Sequence, residues 1–163
     1  LPILLERAER HYRQVLDSDP SYREALTNLG SLYMLRGEWT RADGVLSAAI
    51  EQHPYYADGY FNLGLVRVEL GDSAAAVALF KRALALDEGA EIWYELANAH
   101  ARLDQLDAAA AAYRQALSRD RAVEGALYNL AEVLLVAGER AGAAAGDARG
   151  IALWREEIGR AHV

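Results

Sequence analysis

The chain has 163 residues, 53% of them hydrophobic and 25% charged, which is typical of a folded globular protein rather than a disordered one. Its net charge is −7 and Lys81 is its only lysine, so it lacks the basic stripe that nucleic-acid phosphates or anionic membranes require. The absence of cysteine excludes disulfides, thiolate catalysis and cysteine-based zinc sites. No apolar run reaches the roughly 20 residues that cross a bilayer, so we expect no membrane insertion in this segment.

Short motifs recur at a nearly constant interval along the chain. A leucine followed by glycine or alanine recurs in steps of 34, 33 and 34 residues, at Leu29, Leu63, Leu96 and Leu130. An alanine recurs in steps of 34, 34, 33 and 34 residues, at Ala8, Ala42, Ala76, Ala109 and Ala143. A bulky residue follows four positions later, at Tyr12, Leu46, Phe80 and Tyr113. A period of this length indicates stacked supersecondary units rather than one ordinary core.

Each unit contains the pattern of two helices separated by a turn. Residues on one helical face are predicted first at Leu26, Leu29, Gly30 and Tyr33, and then at Ala42, Leu46, Ala49 and Ile50. The turn between the two helices is predicted at Gly37, Gly71, Asp104 and Gly138. We expect the small residue of the first helix to face the alanine of the second, with the bulky residue filling the adjacent space.

The two ends of the chain depart from this pattern. The segment Leu4–Leu16 matches only a second helix, so we expect further residues upstream in the parent protein. We interpret residues 139–150 as an Ala/Gly-rich insertion, after which the second helix resumes near Asp147. The last six residues, IGRAHV, match the translation of a common sequencing-library adapter, so we interpret 158–163 as a non-native tail. Abundant alanine and arginine with almost no lysine favours a GC-rich bacterial source.

These motifs resemble the tetratricopeptide repeat (TPR). The resemblance extends over about residues 5–143, and its best-matched positions are Leu29-Gly30, Tyr33, Ala42, Leu46, Ala49 and Pro54 with their counterparts in the next two units. It implies an all-α, right-handed superhelical solenoid of antiparallel helix pairs, with about 4.5 repeats. We expect a single domain, 1–163, that consists of a partial repeat at 1–22, repeats at 23–56, 57–89 and 90–123, a degenerate last repeat at 124–157, and the tail.

No motif in the sequence points to catalysis or to a bound metal. His11, His53 and His100 lie far apart and outside any H-E-x-x-H spacing, and neither a phosphate-binding G-x-x-x-x-G-K-[ST] loop nor a G-x-S-x-G elbow occurs. Adjacent carboxylates, such as Asp87 and Glu88, project about 100° apart on a helix and do not converge as an acid–base pair. We therefore expect no catalytic residue, no metal and no cofactor.

The remaining face of each first helix carries amide and aromatic side chains that repeat in register. They form the candidate binding surface: Thr27, Asn28, Phe61, Asn62, Tyr94, Asn98, Tyr128 and Asn129. In tetratricopeptide proteins the first helices line a concave groove that commonly holds extended peptides. The resemblance therefore implies that the amides hydrogen-bond a ligand backbone and that the aromatic rings pack against its side chains.

The charge of this surface bears on the kind of peptide. An acidic line accompanies it at Glu24, Asp58 and Glu91, and its only basic residue is Arg102. We therefore expect a preference for neutral or basic peptides. The leading hypothesis is a non-enzymatic protein-interaction scaffold. The alternatives are a substrate-recruiting module of a larger enzyme, such as a glycosyltransferase, and a structural spacer or self-association module. Partner identity, oligomeric state and a cytoplasmic or periplasmic location stay open at this point.

Overall fold

The computed structural model describes residues 2–123 and 125–140 of the chain, which fold into α-helices without any strand. The helices of this described part are α1 (Pro2–Ser18), α2 (Arg23–Leu35), α3 (Trp39–Gln52), α4 (Ala57–Glu69), α5 (Ser73–Leu84), α6 (Ala90–Arg102), α7 (Leu106–Arg119) and α8 (Ala126–Arg140). The prediction of an all-α helical repeat is confirmed. The Ala/Gly-rich segment beyond Arg140, the second helix predicted near Asp147 and the tail at 158–163 lie outside the described residues.

The chain divides into two compact units, Leu1–Asp87 (unit 1) and Glu88–Val163 (unit 2). In unit 1, α1 packs on α2, α2 on α3, α3 on α4, and α4 on α5. In unit 2, α6 packs on α7, and α7 on α8. The pairs α2/α3, α4/α5 and α6/α7 fall within the predicted repeats at 23–56, 57–89 and 90–123, and α1 falls within the predicted partial repeat at 1–22.

The turn inside each helix pair has the same hydrogen-bonded geometry. Gly37, Gly71 and Asp104 all have left-handed backbones, with φ of 70°, 82° and 61°. The amide that follows each of them bonds to a carbonyl five residues back, at distances of 2.9, 2.8 and 3.0 Å. These bonds satisfy carbonyls at the helix end, which confirms the three predicted turns. The fourth prediction is wrong. Helix α8 continues through Gly138, where retaining the helical hydrogen bonds outweighs glycine's cost of about 1 kcal/mol.

The small residues of the first helices make a closer contact than the sequence suggests. A Cβ added to Gly30 would lie 2.6 Å from the Leu46 side chain, and one added to Gly64 would lie 2.5 Å from the Phe80 ring. The bulky residue of the second helix therefore lies directly against the glycine, closer than the adjacent space in which the sequence pattern placed it. A large side chain fills the hollow left by a missing Cβ more completely than an alanine does.

Carboxylates connect successive repeats within unit 1. Glu9 on α1 accepts hydrogen bonds from Tyr33, Arg36 and Arg41 of the next helix pair. Burial tends to raise the pKa of Glu9, but these hydrogen bonds outweigh burial and hold the pKa below its ordinary value. Asp43 occupies the equivalent position on α3, and one of its oxygens lies 2.6 Å from Nε of Arg67 on α4. The same register therefore supplies an ion pair at both repeat junctions.

Candidate functional site

The first helix of each repeat presents a row of solvent-facing residues at spacings of four, three and four, which we call the first-helix row. It comprises Glu24, Asn28, Ser31 and Leu35 on α2, Asp58, Asn62, Leu65 and Glu69 on α4, Glu91, Glu95, Asn98 and Arg102 on α6, and Asn129, Glu132 and Val136 on α8. Every one of these residues is exposed or half-buried. The spacing places each set on one helical face, opposite the side that packs in the core.

Two predicted amides of unit 1 lie at equivalent positions on α2 and α4, helices that also contact each other. Asn28 is exposed and Asn62 is half-buried. Neither side chain has a hydrogen-bond partner among the described residues. Each amide therefore keeps a donor and an acceptor for a ligand. Leu35, further along the same row, is 72% exposed and adds apolar surface.

Two other predicted residues of unit 1 serve mainly the fold. Thr27 is only 7% exposed, and its hydroxyl donates to the backbone carbonyl of Arg23 at 3.0 Å. Phe61 is half-buried, with its ring centroid 5.9 Å from that of Phe80. Thr27 consequently presents little side-chain surface to a ligand, and Phe61 is partly engaged in a ring contact.

In unit 2 hydrogen bonds join three predicted residues, Tyr94, Asn98 and Asn129, and Tyr113 is bonded to the same group. The Tyr113 hydroxyl donates to Oδ1 of Asn98 at 2.5 Å, and Nδ2 of Asn98 donates to Glu95 at 3.2 Å. Nδ2 of Asn129 donates to that same Asn98 oxygen at 3.3 Å and to the Tyr94 hydroxyl at 3.2 Å. We call this set the tyrosine–asparagine network. Tyr128 lies outside it and is 70% exposed.

Tyr113 is the member of the network that sequence reasoning missed as a site residue. It was identified only as the bulky core position, where Leu46 and Phe80 carry no polar atom. Its hydroxyl was the available signal, because a buried phenol requires a hydrogen-bond partner. Burial raises the pKa of Tyr113 to about 12; a hydrogen bond with Asn129 opposes this effect, and the charges of Tyr94, Glu95 and Glu132 add to it. The phenol therefore stays protonated at neutral pH.

The charge of the row is negative in both units. In unit 1 it carries Glu24, Asp58 and Glu69 with no basic residue, and in unit 2 Arg102 accompanies three glutamates. Within the described residues no group of three or more histidines or carboxylates is arranged to hold a metal. No helix in that part is long and apolar enough to cross a membrane.

Two histidines have structural contacts instead. His53 bonds to the backbone carbonyl of Ser21 at 2.6 Å, and the buried His100 bonds to Gln105 at 2.6 Å. The first contact links the residue after α3 to the loop before α2, and the second links α6 to the loop before α7. Neither contact pairs a histidine with a second titratable group.

Comparison with known sequences identifies the family. Tetratricopeptide repeat profiles match residues 23–89, 61–124 and 94–154. The chain therefore belongs to the tetratricopeptide repeat family, and it is a protein-interaction module. A curated relative, the BBSome complex member BBS4 of Xenopus tropicalis, is 29% identical over 133 residues. The match covers 81% of this chain but only 26% of that protein.

Solved structures share the fold. The crystal structure of MamA superposes with a TM-score of 0.82 at 24% identity, covering 97% of this chain and 91% of that one. YrrB, described as a TPR protein with an unusual peptide-binding site, gives a TM-score of 0.77 at 21% identity, with coverages of 94% and 77%. The first TPR of Spaghetti (RPAP3), bound to the HSP90 peptide SRMEEVD, gives 0.67 at 20% identity, with coverages of 68% and 89%.

Proposed function

We propose that this chain binds an extended peptide segment of a protein partner through its first-helix row and catalyses no reaction itself. The observation that carries the proposal is the pair Asn28 and Asn62, equivalent amides on adjacent helices whose donors and acceptors are unused by other residues in the described part of the chain. An amide side chain matches the alternating N–H and C=O groups of an extended backbone. The peptide-related descriptions of YrrB and of the RPAP3 complex support the same kind of role.

The peptide is neutral or basic. Three carboxylates and no basic residue on the unit 1 row repel an acidic segment and attract a cationic one. The peptide bound to RPAP3, SRMEEVD, carries two glutamates and an aspartate. We therefore expect this chain to bind a peptide of different charge from that one.

A selection from a random displayed peptide library tests the proposal. Peptides enriched on the immobilised chain are sequenced, synthesised and titrated by calorimetry. We expect neutral or basic sequences, and we expect the double variant Asn28→Ala/Asn62→Ala to weaken their binding by about tenfold or more. The matched control is Gln14→Ala/Gln52→Ala, which removes two exposed amides from the second helices of the same unit.

The outcomes separate the hypotheses. Enrichment of acidic peptides contradicts the charge assignment, and equal binding by the Asn28/Asn62 and Gln14/Gln52 variants contradicts the assignment of the amides. A chain that enriches no peptide while remaining fully helical favours the structural-spacer alternative.

A further inference from the structure

The aromatic pairs of the two units have nearly the same geometry but different chemistry. The rings of Phe61 and Phe80 lie 5.9 Å apart at 49°, and those of Tyr94 and Tyr113 lie 5.9 Å apart at 55°. The two pairs occupy equivalent positions in successive repeats. Unit 2 therefore adds two hydroxyl groups to an arrangement that packs without them in unit 1. These hydroxyls form hydrogen bonds that the phenylalanine pair cannot make.

Counting donors and acceptors shows what the hydroxyls do. Oδ1 of Asn98 accepts from Tyr113 and from Asn129, so both of its lone pairs are used. The two Nδ2 hydrogens of Asn129 go to Asn98 and Tyr94, so its amide nitrogen is used as well. On Asn129 and Tyr94 themselves, two groups have no partner among the described residues: Oδ1 of Asn129, an acceptor, and the hydroxyl hydrogen of Tyr94, a donor. Asn98 keeps one Nδ2 hydrogen besides the one that it donates to Glu95. In contrast to Asn28 and Asn62, the orientation of Asn129 is thus set before any ligand arrives.

A glycine lies beside the Tyr94 hydroxyl. Gly125, which has a left-handed backbone with φ of 77°, stands where the other repeats carry Glu24, Asp58 and Glu91. A Cβ added at Gly125 would lie 3.2 Å from the Tyr94 hydroxyl oxygen. A longer side chain there would compete for the space around that hydroxyl. Asn129 therefore belongs to the repeat that has a glycine instead of an acidic residue at this position.

We propose that Tyr113 is a positioning residue that makes unit 2 a subsite for one residue of an extended backbone. In this subsite the ligand N–H donates to Oδ1 of Asn129, and the ligand C=O accepts from the Tyr94 hydroxyl. The N–H and C=O of one residue face the same side of an extended strand, which suits this donor and acceptor pair. The proposal rests on the proposed function and adds to it that the ligand backbone binds in one chain direction. The raised pKa of Tyr113 is consistent with it, since only a protonated phenol donates to Asn98.

The test uses a probe that contains a single residue between two peptide groups and no side chain, N-acetylglycine N-methylamide. It is titrated into the isotope-labelled full chain, and the side-chain amide resonances of Asn28, Asn62, Asn98 and Asn129 are followed by NMR. We expect Asn129 to shift on titration. In Tyr113→Phe we expect the apparent affinity at Asn129 to fall by about threefold to tenfold, because Asn98, whose oxygen holds the Asn129 amide, loses the hydrogen bond that fixes its own orientation. The responses of Asn28 and Asn62 should not change.

Two further variants keep the result interpretable. Asn98→Leu places at this position the residue that the preceding repeat has at Leu65, and it should reproduce the effect of Tyr113→Phe. Tyr60→Phe removes a hydroxyl that donates to the Pro54 carbonyl in unit 1, and it should leave the response of Asn129 intact. Phe80 shows that a phenylalanine packs at the position of Tyr113, and the helicity of each variant is checked by circular dichroism.

An unchanged Asn129 response in both Tyr113→Phe and Asn98→Leu overturns the proposal. A probe that shifts Asn28 and Asn62 but not Asn129 also overturns it while leaving the proposed function standing, and a probe that shifts no amide overturns it as well. The proposed function is decided separately, by the library selection and the Asn28→Ala/Asn62→Ala variant.

Discussion

Gly64 and Gly44 both lie inside helices, but their surroundings differ. A Cβ at Gly64 would lie 2.5 Å from the ring of Phe80, which is fully buried, whereas a Cβ at Gly44 would meet nothing within 4 Å. Replacing either glycine with alanine gains up to about 1 kcal/mol of helix propensity. At Gly64 the overpacking against Phe80 costs about 1–3 kcal/mol. We therefore expect Gly64→Ala to destabilise the fold and Gly44→Ala to stabilise it by about 0.5–1 kcal/mol.

Urea denaturation followed by circular dichroism measures both changes on the same scale. A Gly64→Ala variant as stable as Gly44→Ala would show that the Phe80 ring moves aside freely, in contradiction to the close packing of α4 on α5.

Tyr113 provides a second prediction for a single residue, this time at alkaline pH. Its folded pKa of about 12 lies above the ordinary value of 10, so the folded state favours the neutral phenol. The resulting stability is fully present below about pH 10 and is lost as the pH rises from there through the folded pKa. We expect the free energy of unfolding to fall less steeply between about pH 10 and about pH 12 in Tyr113→Phe than in the parent chain.

The control for this comparison is Tyr55→Phe, because Tyr55 is 86% exposed. Urea midpoints at several pH values give the slopes. Parallel slopes for the parent chain and Tyr113→Phe would mean that burial does not perturb this phenol.

At the scale of the helices, Glu9 stabilises the packing of α1 on the next helix pair through its ion pairs with Arg36 and Arg41. Glu9→Gln keeps the size of the side chain but removes the charge that Arg36 and Arg41 surround, and charged hydrogen bonds of this kind contribute about 1.5–3 kcal/mol. Because the folded pKa of Glu9 is lowered, its contribution is present above the unfolded pKa and is lost as the pH falls through the folded one. We expect Glu9→Gln to be destabilising near pH 7 and closer to neutral near pH 3.

Glu6→Gln is the matched control, since Glu6 is an exposed carboxylate on the same helix. Denaturant unfolding of both variants at the two pH values measures the effect. A loss of stability in Glu9→Gln that is the same at acidic and neutral pH would assign the effect to packing rather than to the ion pairs.

The helical scaffold was predictable from the sequence because each of its elements has a local signal. The left-handed turn at Gly37 and the apolar spacing of α2 both follow from residues a few positions apart. Gly138 was wrongly predicted to be a turn. A glycine ends a helix only where the residues after it no longer form helical hydrogen bonds, and the glycine itself does not show whether they do. The contact between Gly64 and Phe80 depends on how two helices approach, which spacing alone does not fix.

The candidate surface was predictable only in part for a related reason. Register identifies which residues share a helix face, so Asn28 and Asn62 could be named. Whether an amide is already bonded depends on the neighbouring helix. Asn98 is occupied because α7 supplies Tyr113, whereas the preceding repeat has Leu65 and Phe80 at the two corresponding positions and forms no such hydrogen bond.

For the molecule as a whole, two sources of electrostatic selectivity compete: the net charge of −7 and the local charge of the first-helix row. A long-range field of the whole chain would attract any cationic peptide to any part of its surface, whereas the row acts only where the ligand lies. The two can be separated, because charge reversals at different places change the net charge equally. Asp58→Lys/Glu69→Lys alters the row of unit 1, and Glu6→Lys/Glu51→Lys alters exposed positions on second helices of the same unit.

We expect Asp58→Lys/Glu69→Lys to weaken binding of a library-selected basic peptide by about tenfold or more at roughly 0.05 M salt, and to strengthen binding of its charge-reversed counterpart. Glu6→Lys/Glu51→Lys should have a much smaller effect at the same salt concentration, and raising the salt to about 0.5 M should bring all three chains together. Calorimetric titration of both peptides into the three chains provides the measurement. Equal weakening by the two double variants would assign the selectivity to net charge, and the first-helix row would then have no special part in recognising a cationic ligand.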